Sequence, residues 1–152
     1  MKIYIFDLDD TIIYYPNNIV NYDNIKFDSN LFNLLEKLNS TKIIYTNGTY
    51  SHAEVVLNNM KLNNLFNKIY ARDTIPLMKP HVNSFKYVEK DIKSHINKNN
   101  EYYFFDDRLD NLMTAKSLGW ITIFINLKFI DKPLYVDHSF SNIHSAVMYF
   151  LV

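Results

Sequence analysis

The stretch IYIFDLDDT, residues 3 to 11, decides how the rest of the chain is interpreted, because apolar residues that favour strands run directly into three carboxylates. Ile, Tyr and Phe are typical of buried strands, and Asp is depleted in them. The pattern predicts a strand over residues 2 to 8 whose carboxyl end carries Asp7, Asp9 and Asp10. So much negative charge at the end of a buried strand needs a chemical reason.

The composition predicts a single domain over residues 1 to 152. Hydrophobic residues make up 48% of the chain, charged residues make up 21%, and the formal net charge is zero. A chain of this length can bury most of its apolar surface in one core. No apolar run approaches the roughly 18 residues of a membrane span, and no basic segment leads into a signal-like run. We therefore expect a cytoplasmic protein with no membrane partner.

Two further features of the composition limit the function. The chain has no cysteine, which excludes disulfides and thiolate metal sites and favours a reducing compartment. It also has no basic block, so the sequence does not indicate a nucleic-acid partner. A short phosphorylated nucleic-acid end stays open as a substrate.

Short apolar runs alternate with amphipathic segments along the chain. The runs predict strands over residues 2 to 8, 41 to 46, 67 to 71, 101 to 106 and 120 to 125. The amphipathic segments predict helices over residues 30 to 38, 51 to 60, 81 to 92, 110 to 118 and 140 to 151. Ser29 is the expected N-cap of the first helix, and Gly119 is the expected C-cap of the fourth. The alternation predicts a doubly wound, Rossmann-like α/β fold, with a mostly parallel sheet of about five strands and helices on both faces.

Polar residues follow three of the predicted strands. They are Asp7 and Asp9 after the first, Thr46, Asn47 and Gly48 after the second, and Asp106 and Asp107 after the fourth. In open α/β sheets ligands bind beyond the carboxyl ends of the strands, so these side chains should converge. Carboxylates at one edge repel one another and raise each other's pKa unless a cation lies among them. Because all the candidate ligands are oxygens, Mg²⁺ is the expected ion.

Four segments resemble, in order and in context, the four motifs of the haloacid dehalogenase superfamily. They are DLDDT (7 to 11), YTNG (45 to 48), MKP (78 to 80) and FFDDRLDN (104 to 111), and the likeness spans residues 2 to 125. Most members of that superfamily are Mg²⁺-dependent phosphatases. FFDD followed by LGW is also similar to the small magnesium-dependent phosphatases of eukaryotes.

The resemblance implies a catalytic role for each motif. Asp7 would be the nucleophile that forms an aspartyl-phosphate, and Asp9 would be the general acid and base. Thr46 and the backbone amide of Asn47 would bind the phosphoryl oxygens, and Lys79 would neutralise the charge shared between the nucleophile and the phosphoryl group. Dehalogenases lack the aspartate that corresponds to Asp9, so its presence favours phosphatase chemistry.

The resemblance also implies a metal site. Asp7, Asp9 and Asp107 would hold Mg²⁺, and Asp106 would be a shared ligand or a neighbour of the ligands. Asn111 stands where the family often has another Asp. Independently of any metal, Asp106 and Asp107 could cap the helix that follows them, and capping and metal binding are compatible.

Residues beside the motifs have simpler expected roles. Asp10 is expected to be a turn residue, and Thr11 is expected to hydrogen-bond the backbone of its loop. The five histidines are expected at the surface or in caps, although His52 follows the second motif closely enough to reach a substrate. Arg108 is expected to be solvated at a helix start. Residues 14 to 16 are either core or the rim of the pocket.

The spacing leaves no room for a true cap domain, because residues 12 to 28 fit only a loop and residues 49 to 78 are used by a helix, a strand and a connection. The leading hypothesis is therefore a Mg²⁺-dependent phosphatase with an open active site, acting on a small molecule or on the end of a macromolecule. One alternative is a small-metabolite or nucleotide phosphatase with a lid from an oligomer partner. Another is a catalytically silent protein that binds a phospho-ligand. A monomer and a homodimer both stay open.

Overall fold

The computed structural model describes residues 1–128 and 131–151, which form a parallel sheet with helices on both faces. The strands are β1 (Lys2–Phe6), β2 (Thr41–Tyr45), β3 (Lys68–Tyr70), β4 (Glu101–Asp106), β5 (Ile121–Ile125) and β6 (His138–Phe140). The helices are α1 (Ser29–Lys37), α2 (Tyr50–Asn59), α3 (Val82–His95), α4 (Leu109–Ser117) and α5 (Ile143–Phe150). The strand order is β3-β2-β1-β4-β5-β6, and every neighbouring pair is parallel. The predicted doubly wound α/β fold is confirmed.

The sheet has one strand more than predicted, because β6 gave no signal in the sequence. Residues 140 to 151 were expected to form a helix, but α5 begins at Ile143 and the residues before Asn142 pair with β5. β6 has only three residues, His, Ser and Phe, and none of them is fully buried. A strand this short is below the length at which alternation can be recognised.

The two faces of the sheet carry separate cores, as the alternation of strand side chains requires. On β1, Tyr4 and Phe6 pack with α1, α2 and α5, and the Phe6 ring stacks on Phe105 with 4.5 Å between centroids. Ile3 and Ile5 point to the other face, where they pack with α3 and α4. β1 is thus buried on both sides, and its carboxyl end is held firmly in the middle of the sheet.

The start of α1 differs from the prediction. Asp28, not Ser29, is the N-cap, and its carboxylate accepts a hydrogen bond from the Leu31 N–H at 2.9 Å. Both residues are good N-caps, so the sequence alone could not choose between neighbours.

α4 ends at Ser117, and its C-cap is Leu118 and not Gly119, which follows one position later. Gly119 has a left-handed backbone with φ of +85°. Its N–H donates to the Lys116 carbonyl, and the Trp120 N–H donates to the Ala115 carbonyl. This is the Schellman arrangement, in which glycine satisfies the last helix carbonyls.

Gly119→Ala should lower the free energy of unfolding by about 1–2 kcal/mol, because a left-handed backbone is costly for a residue with a Cβ. Among the described residues, apart from the two chain neighbours of Gly119, no atom lies within 4 Å of the position that this Cβ would take, so crowding would not contribute. Gly119→Asn should lower the free energy of unfolding by less, since Asn tolerates a left-handed backbone. Urea denaturation of both variants checks the prediction, and an equal loss in both would contradict it.

The connections around β1 and β2 place the polar residues at one edge. β1 ends at Phe6 and not at residue 8, so Asp7 already belongs to the loop. Between β1 and α1 lie two short 3-10 turns, Pro16–Asn18 and Tyr22–Asn24. Residues 49 to 78 contain α2, a third 3-10 turn and β3, and the lack of a cap domain stays a prediction. Within the described ranges, no helix has the length and apolar character needed to cross a membrane.

Candidate active site

A cleft of about 440 Å³ opens at the carboxyl ends of β1, β2 and β4. The predicted site residues Asp7, Asp9, Thr46, Asn47, Lys79 and Asp107 all line it. Asp106 does not line the cleft, because it lies completely buried at the end of β4. The parallel strand order therefore brings together residues that are far apart in sequence.

Lys79 is the buried cation of the site. It is 4% exposed, and its Nζ donates to Asp7 Oδ1 at 3.1 Å, Asp106 Oδ2 at 2.9 Å and the Tyr45 carbonyl at 2.7 Å. Burial alone would lower the pKa of this ammonium, but the charges of Asp106 and Asp7 outweigh burial and raise the pKa above its ordinary value. Lys79 is therefore positively charged and is not a solvated lysine.

Asn47 fixes the backbone that carries this lysine. Its Nδ2 donates to the Lys79 carbonyl and its Oδ1 accepts from the Lys79 N–H, both at 2.9 Å. Thr46 is buried, and its Oγ1 accepts from the Gly48 N–H at 3.0 Å. Among the described residues, neither the Thr46 hydroxyl proton nor the Asn47 backbone N–H has a protein acceptor. Both donors line the cleft and are available to a ligand.

The acidic cluster consists of Asp7, Asp106 and Asp107, whose carboxylate oxygens come within 4.8 Å of one another. The Thr11 hydroxyl lies between two of them, 2.9 Å from Asp7 Oδ2 and 3.3 Å from Asp107 Oδ1. The expectation that Thr11 bonds the backbone of its loop is wrong for its side chain. Burial and the neighbouring Asp7 raise the pKa of both Asp106 and Asp107. A cation among these oxygens would remove the repulsion.

The donor set fits a hard divalent ion such as Mg²⁺. Every group is an oxygen, and the Asn111 Oδ1 is buried without a hydrogen-bond partner in the described part of the chain. Asn111 lines the cleft, and its Nδ2 donates to Asp106 Oδ2 at 3.1 Å. Asp106 also accepts from Lys79 and from the Arg108 N–H, so Asp107 has the freer carboxylate of the two.

The Asp9 carboxylate lies apart from this cluster. Its Oδ1 accepts from the Tyr15 hydroxyl at 2.6 Å and lies 2.9 Å from His52 Nε2. The other ring nitrogen, His52 Nδ1, lies 2.7 Å from the Tyr22 hydroxyl. Tyr15 packs against the core with its ring and reaches the Asp9 carboxylate with its hydroxyl, so it combines the two roles that the sequence left open. The surface or cap role expected for His52 is wrong, and the available signal was its place in the first turn of the helix after YTNG.

Two other neighbours have the roles that the sequence predicts. Asp10 adopts a left-handed backbone with φ of 63°, as a turn residue does. Arg108 has a side chain that is 64% exposed and paired with Asp110, at the start of α4. Asp106 Oδ1 accepts the N–H of Arg108, which is the N-cap residue of α4, so among the described residues this aspartate contacts the segment before the helix and does not cap the helix itself.

Solved structures share this fold. The L-2-haloacid dehalogenase of Xanthobacter autotrophicus, with chloropropionic acid covalently bound, aligns with a TM-score of 0.66 and 15% identity, over 85% of this chain and 62% of that chain. A Thermotoga maritima protein assigned as a β-phosphoglucomutase aligns with a TM-score of 0.73 and 13% identity, over 99% and 98% of the two chains.

Sequence comparison gives a relative and a family. Drimenol cyclase drtB of Aspergillus calidoustus is 31% identical over 105 residues, which are 68% of this chain and only 19% of the cyclase. A model of the haloacid dehalogenase-like hydrolases matches residues 13–125, the range that holds Thr46, Lys79 and Asp107. Because this match covers most of the sequence, the chain belongs to the haloacid dehalogenase-like hydrolase family.

Proposed function

We propose that this protein is a Mg²⁺-dependent phosphatase that hydrolyses a phosphate monoester through an aspartyl-phosphate on Asp7. The observation that carries the proposal is that Asp7, Asp9, Thr46, Lys79 and Asp107 line one cleft. The cleft therefore combines a nucleophile, an acid, phosphoryl donors and an oxygen site for a cation.

Two displacements complete the reaction. In the first, a carboxylate oxygen of Asp7 forms a bond to phosphorus, the bond from phosphorus to the ester oxygen breaks, and Asp9 gives its proton to that leaving oxygen. In the second, water attacks phosphorus, Asp9 takes a proton from the water, and the bond from Asp7 to phosphorus breaks. The products are an alcohol and inorganic phosphate, and both carboxyl groups return to their starting states.

The donors around Asp7 support this chemistry electrostatically. The Thr46 hydroxyl and the Asn47 backbone N–H are available to donate to phosphoryl oxygens. Lys79 holds Asp7 Oδ1 at 3.1 Å and keeps its charge, so it can offset the charge that develops on the phosphoryl group. Such fixed donors are effective because they need no rearrangement during the reaction.

The cation would be held by Asp7 and Asp107, with Asp106 behind them and the Asn111 amide oxygen nearby. Asp9 is also predicted as a ligand from the sequence, but its carboxylate lies towards Tyr15 and His52, and in this proposal it serves as the acid and base and not as a ligand. Mg²⁺, when bound, would withdraw charge from the phosphoryl oxygens and offset the repulsion among the carboxylates.

Phosphate ester hydrolysis explains Asp9 better than dehalogenation does. An alkoxide leaving group is strongly basic and needs a proton, whereas a halide leaves without one. A carboxyl group at the edge of the cleft is therefore useful for an ester and unnecessary for a carbon-halogen bond. This difference favours a phosphatase over a dehalogenase within the family.

The observations favour an open site but also indicate how a lid could be supplied. Several large apolar side chains are exposed in the connection after β1, namely Ile19, Val20, Tyr22 and Phe27. None of these residues lines the cleft, so a second copy of the chain packed there would have to extend over the cleft to select small substrates, as a small-metabolite or nucleotide phosphatase with a borrowed lid requires. Sedimentation decides between the two, because a monomer has no borrowed lid.

Phosphate release should depend on Mg²⁺ and stop with a chelator. We would offer small phosphate esters, nucleotides, phosphopeptides and phosphorylated oligonucleotide ends, each with Mg²⁺ and with chelator. Preference for the large substrates supports the open site, and preference for one small ester supports the lidded enzyme. Release that persists in full with chelator would contradict the metal requirement. Tight binding of phospho-ligands without release would indicate the catalytically silent protein instead.

A further inference from the structure

We propose that Tyr15 and His52 are positioning residues that occupy Oδ1 of Asp9 and thereby assign proton transfer to Oδ2. The inference rests on the proposed phosphatase function, because it concerns the acid and base of that reaction. It adds two residues outside the four motifs to the machinery and names the oxygen that exchanges a proton with the leaving group.

The two oxygens of the Asp9 carboxylate have different surroundings. Oδ1 accepts from the Tyr15 hydroxyl at 2.6 Å and has His52 Nε2 at 2.9 Å. No hydrogen bond from the described residues reaches Oδ2. Oδ2 lies on the side of Gly48, where an added Cβ would come within 3.5 Å of it, and Gly48 lines the cleft. Oδ2 is therefore the oxygen on the cleft side.

The His52 ring is held so that Nε2 can donate. A carboxylate oxygen only accepts, so the contact with Oδ1 requires a proton on Nε2. In the neutral ring, Nδ1 then accepts, and the Tyr22 hydroxyl at 2.7 Å is its donor. Tyr22 is itself fixed to α2, because its carbonyl accepts from Asn59 Nδ2 at 3.0 Å. The His52 N–H donates to the Thr49 hydroxyl oxygen, which holds the first turn of the helix.

Two donors on one oxygen decide where the proton resides. An oxygen that already accepts two hydrogen bonds is a weaker base than its free partner, so the acid form of Asp9 carries its proton on Oδ2. The same bonds restrict rotation of the carboxyl group, which keeps Oδ2 directed at the cleft. Tyr15 is the donor in its contact with Asp9, because a carboxylate oxygen only accepts.

The test compares two phosphate esters that differ in their leaving groups. An alkyl phosphate needs a proton on its leaving oxygen, whereas p-nitrophenyl phosphate releases a stable phenolate and needs little help. In Tyr15→Phe and His52→Leu, kcat for the alkyl ester should fall roughly 100-fold, the lower end of what general acid catalysis supplies. For p-nitrophenyl phosphate kcat should change only about threefold, and KM should stay nearly constant for both esters, because the phosphoryl donors are untouched.

Matched variants separate positioning from folding. His52→Gln keeps an N–H of similar reach and should recover most of the alkyl ester activity. Tyr87→Phe removes a half-exposed hydroxyl on α3 and should behave as wild type. Equal losses with both esters, or a change confined to KM, would overturn the inference while leaving the phosphatase intact. Failure of the wild type to release phosphate from either ester would instead overturn the proposed function, and the inference with it.

Discussion

Asp7→Asn should reduce phosphate release by about 10⁴-fold or more, since loss of a nucleophile is among the largest effects that one residue can have. The amide oxygen is a poor nucleophile and cannot form the acyl phosphate. The substitution keeps the shape of the side chain, but the Thr11 hydroxyl and Lys79 contact different oxygens of Asp7, so the single amide oxygen can serve only one of them. The measurement is initial rate of phosphate release with saturating Mg²⁺.

The control for this variant is Asp10→Asn. Asp10 also lines the cleft, but its backbone is left-handed, a conformation that Asn adopts readily. The Asp10→Asn variant should therefore fold normally and keep most of the phosphate release activity. Thermal denaturation of both variants shows whether folding is intact. If Asp7→Asn turned over at near the wild-type rate, Asp7 would not be the nucleophile.

The fold and the motif residues could be predicted from the sequence because both depend on local patterns. Alternating apolar runs and amphipathic helices specify a parallel sheet, and residues that follow its strands must meet at one edge. The position of each strand end is enough to predict that Asp7, Thr46 and Asp107 lie at this edge. The rule fails for β6, which is too short to show a period, and at the start of α1, where Asp28 and Ser29 are equivalent candidates for the cap.

The surroundings of Asp9 could not be predicted for a different reason. Tyr15, Tyr22 and His52 meet only because residues 12 to 28 fold back over the first turn of α2. That segment has two short 3-10 turns and no periodicity, so its path depends on tertiary contacts that the sequence does not display. The sequence therefore favoured a surface or cap role for His52, although it also placed this residue close enough to the second motif to reach a substrate.

Lys79→Met should abolish measurable phosphate release and also lower the free energy of unfolding by about 3–5 kcal/mol, the usual result of removing one partner from a buried ion pair. Met has a similar length, and its end would lie near the Tyr45 and Phe104 rings, whose centroids are 4.9 Å and 5.3 Å from the Lys79 Nζ. What is lost is the charge, which leaves the carboxylates of Asp7 and Asp106 buried together. The loss of stability should be smaller in mildly acidic buffer. Without the ammonium the pKa of Asp106 rises further, so Asp106 becomes protonated in the folded protein and the repulsion between the two carboxylates is relieved.

The chain offers a matched control in Lys42, its other buried lysine. The Lys42 ammonium donates to the Leu38 and Ser40 carbonyls and contacts no carboxylate of the residues that the structure describes, and burial lowers its pKa. Lys42→Met removes the same group but leaves no carboxylate without a partner. It should therefore lower the free energy of unfolding by less than Lys79→Met does, and it should leave phosphate release unchanged. Adding Asp106→Asn to Lys79→Met should recover part of the lost stability but none of the activity, because the phosphoryl charge still lacks its partner. Urea denaturation with chelator present measures the free energy of unfolding of the two lysine variants and of the double variant. Equal destabilisation by the two lysine substitutions, with no recovery in the double variant, would show that the charge of Lys79 does not hold this site together.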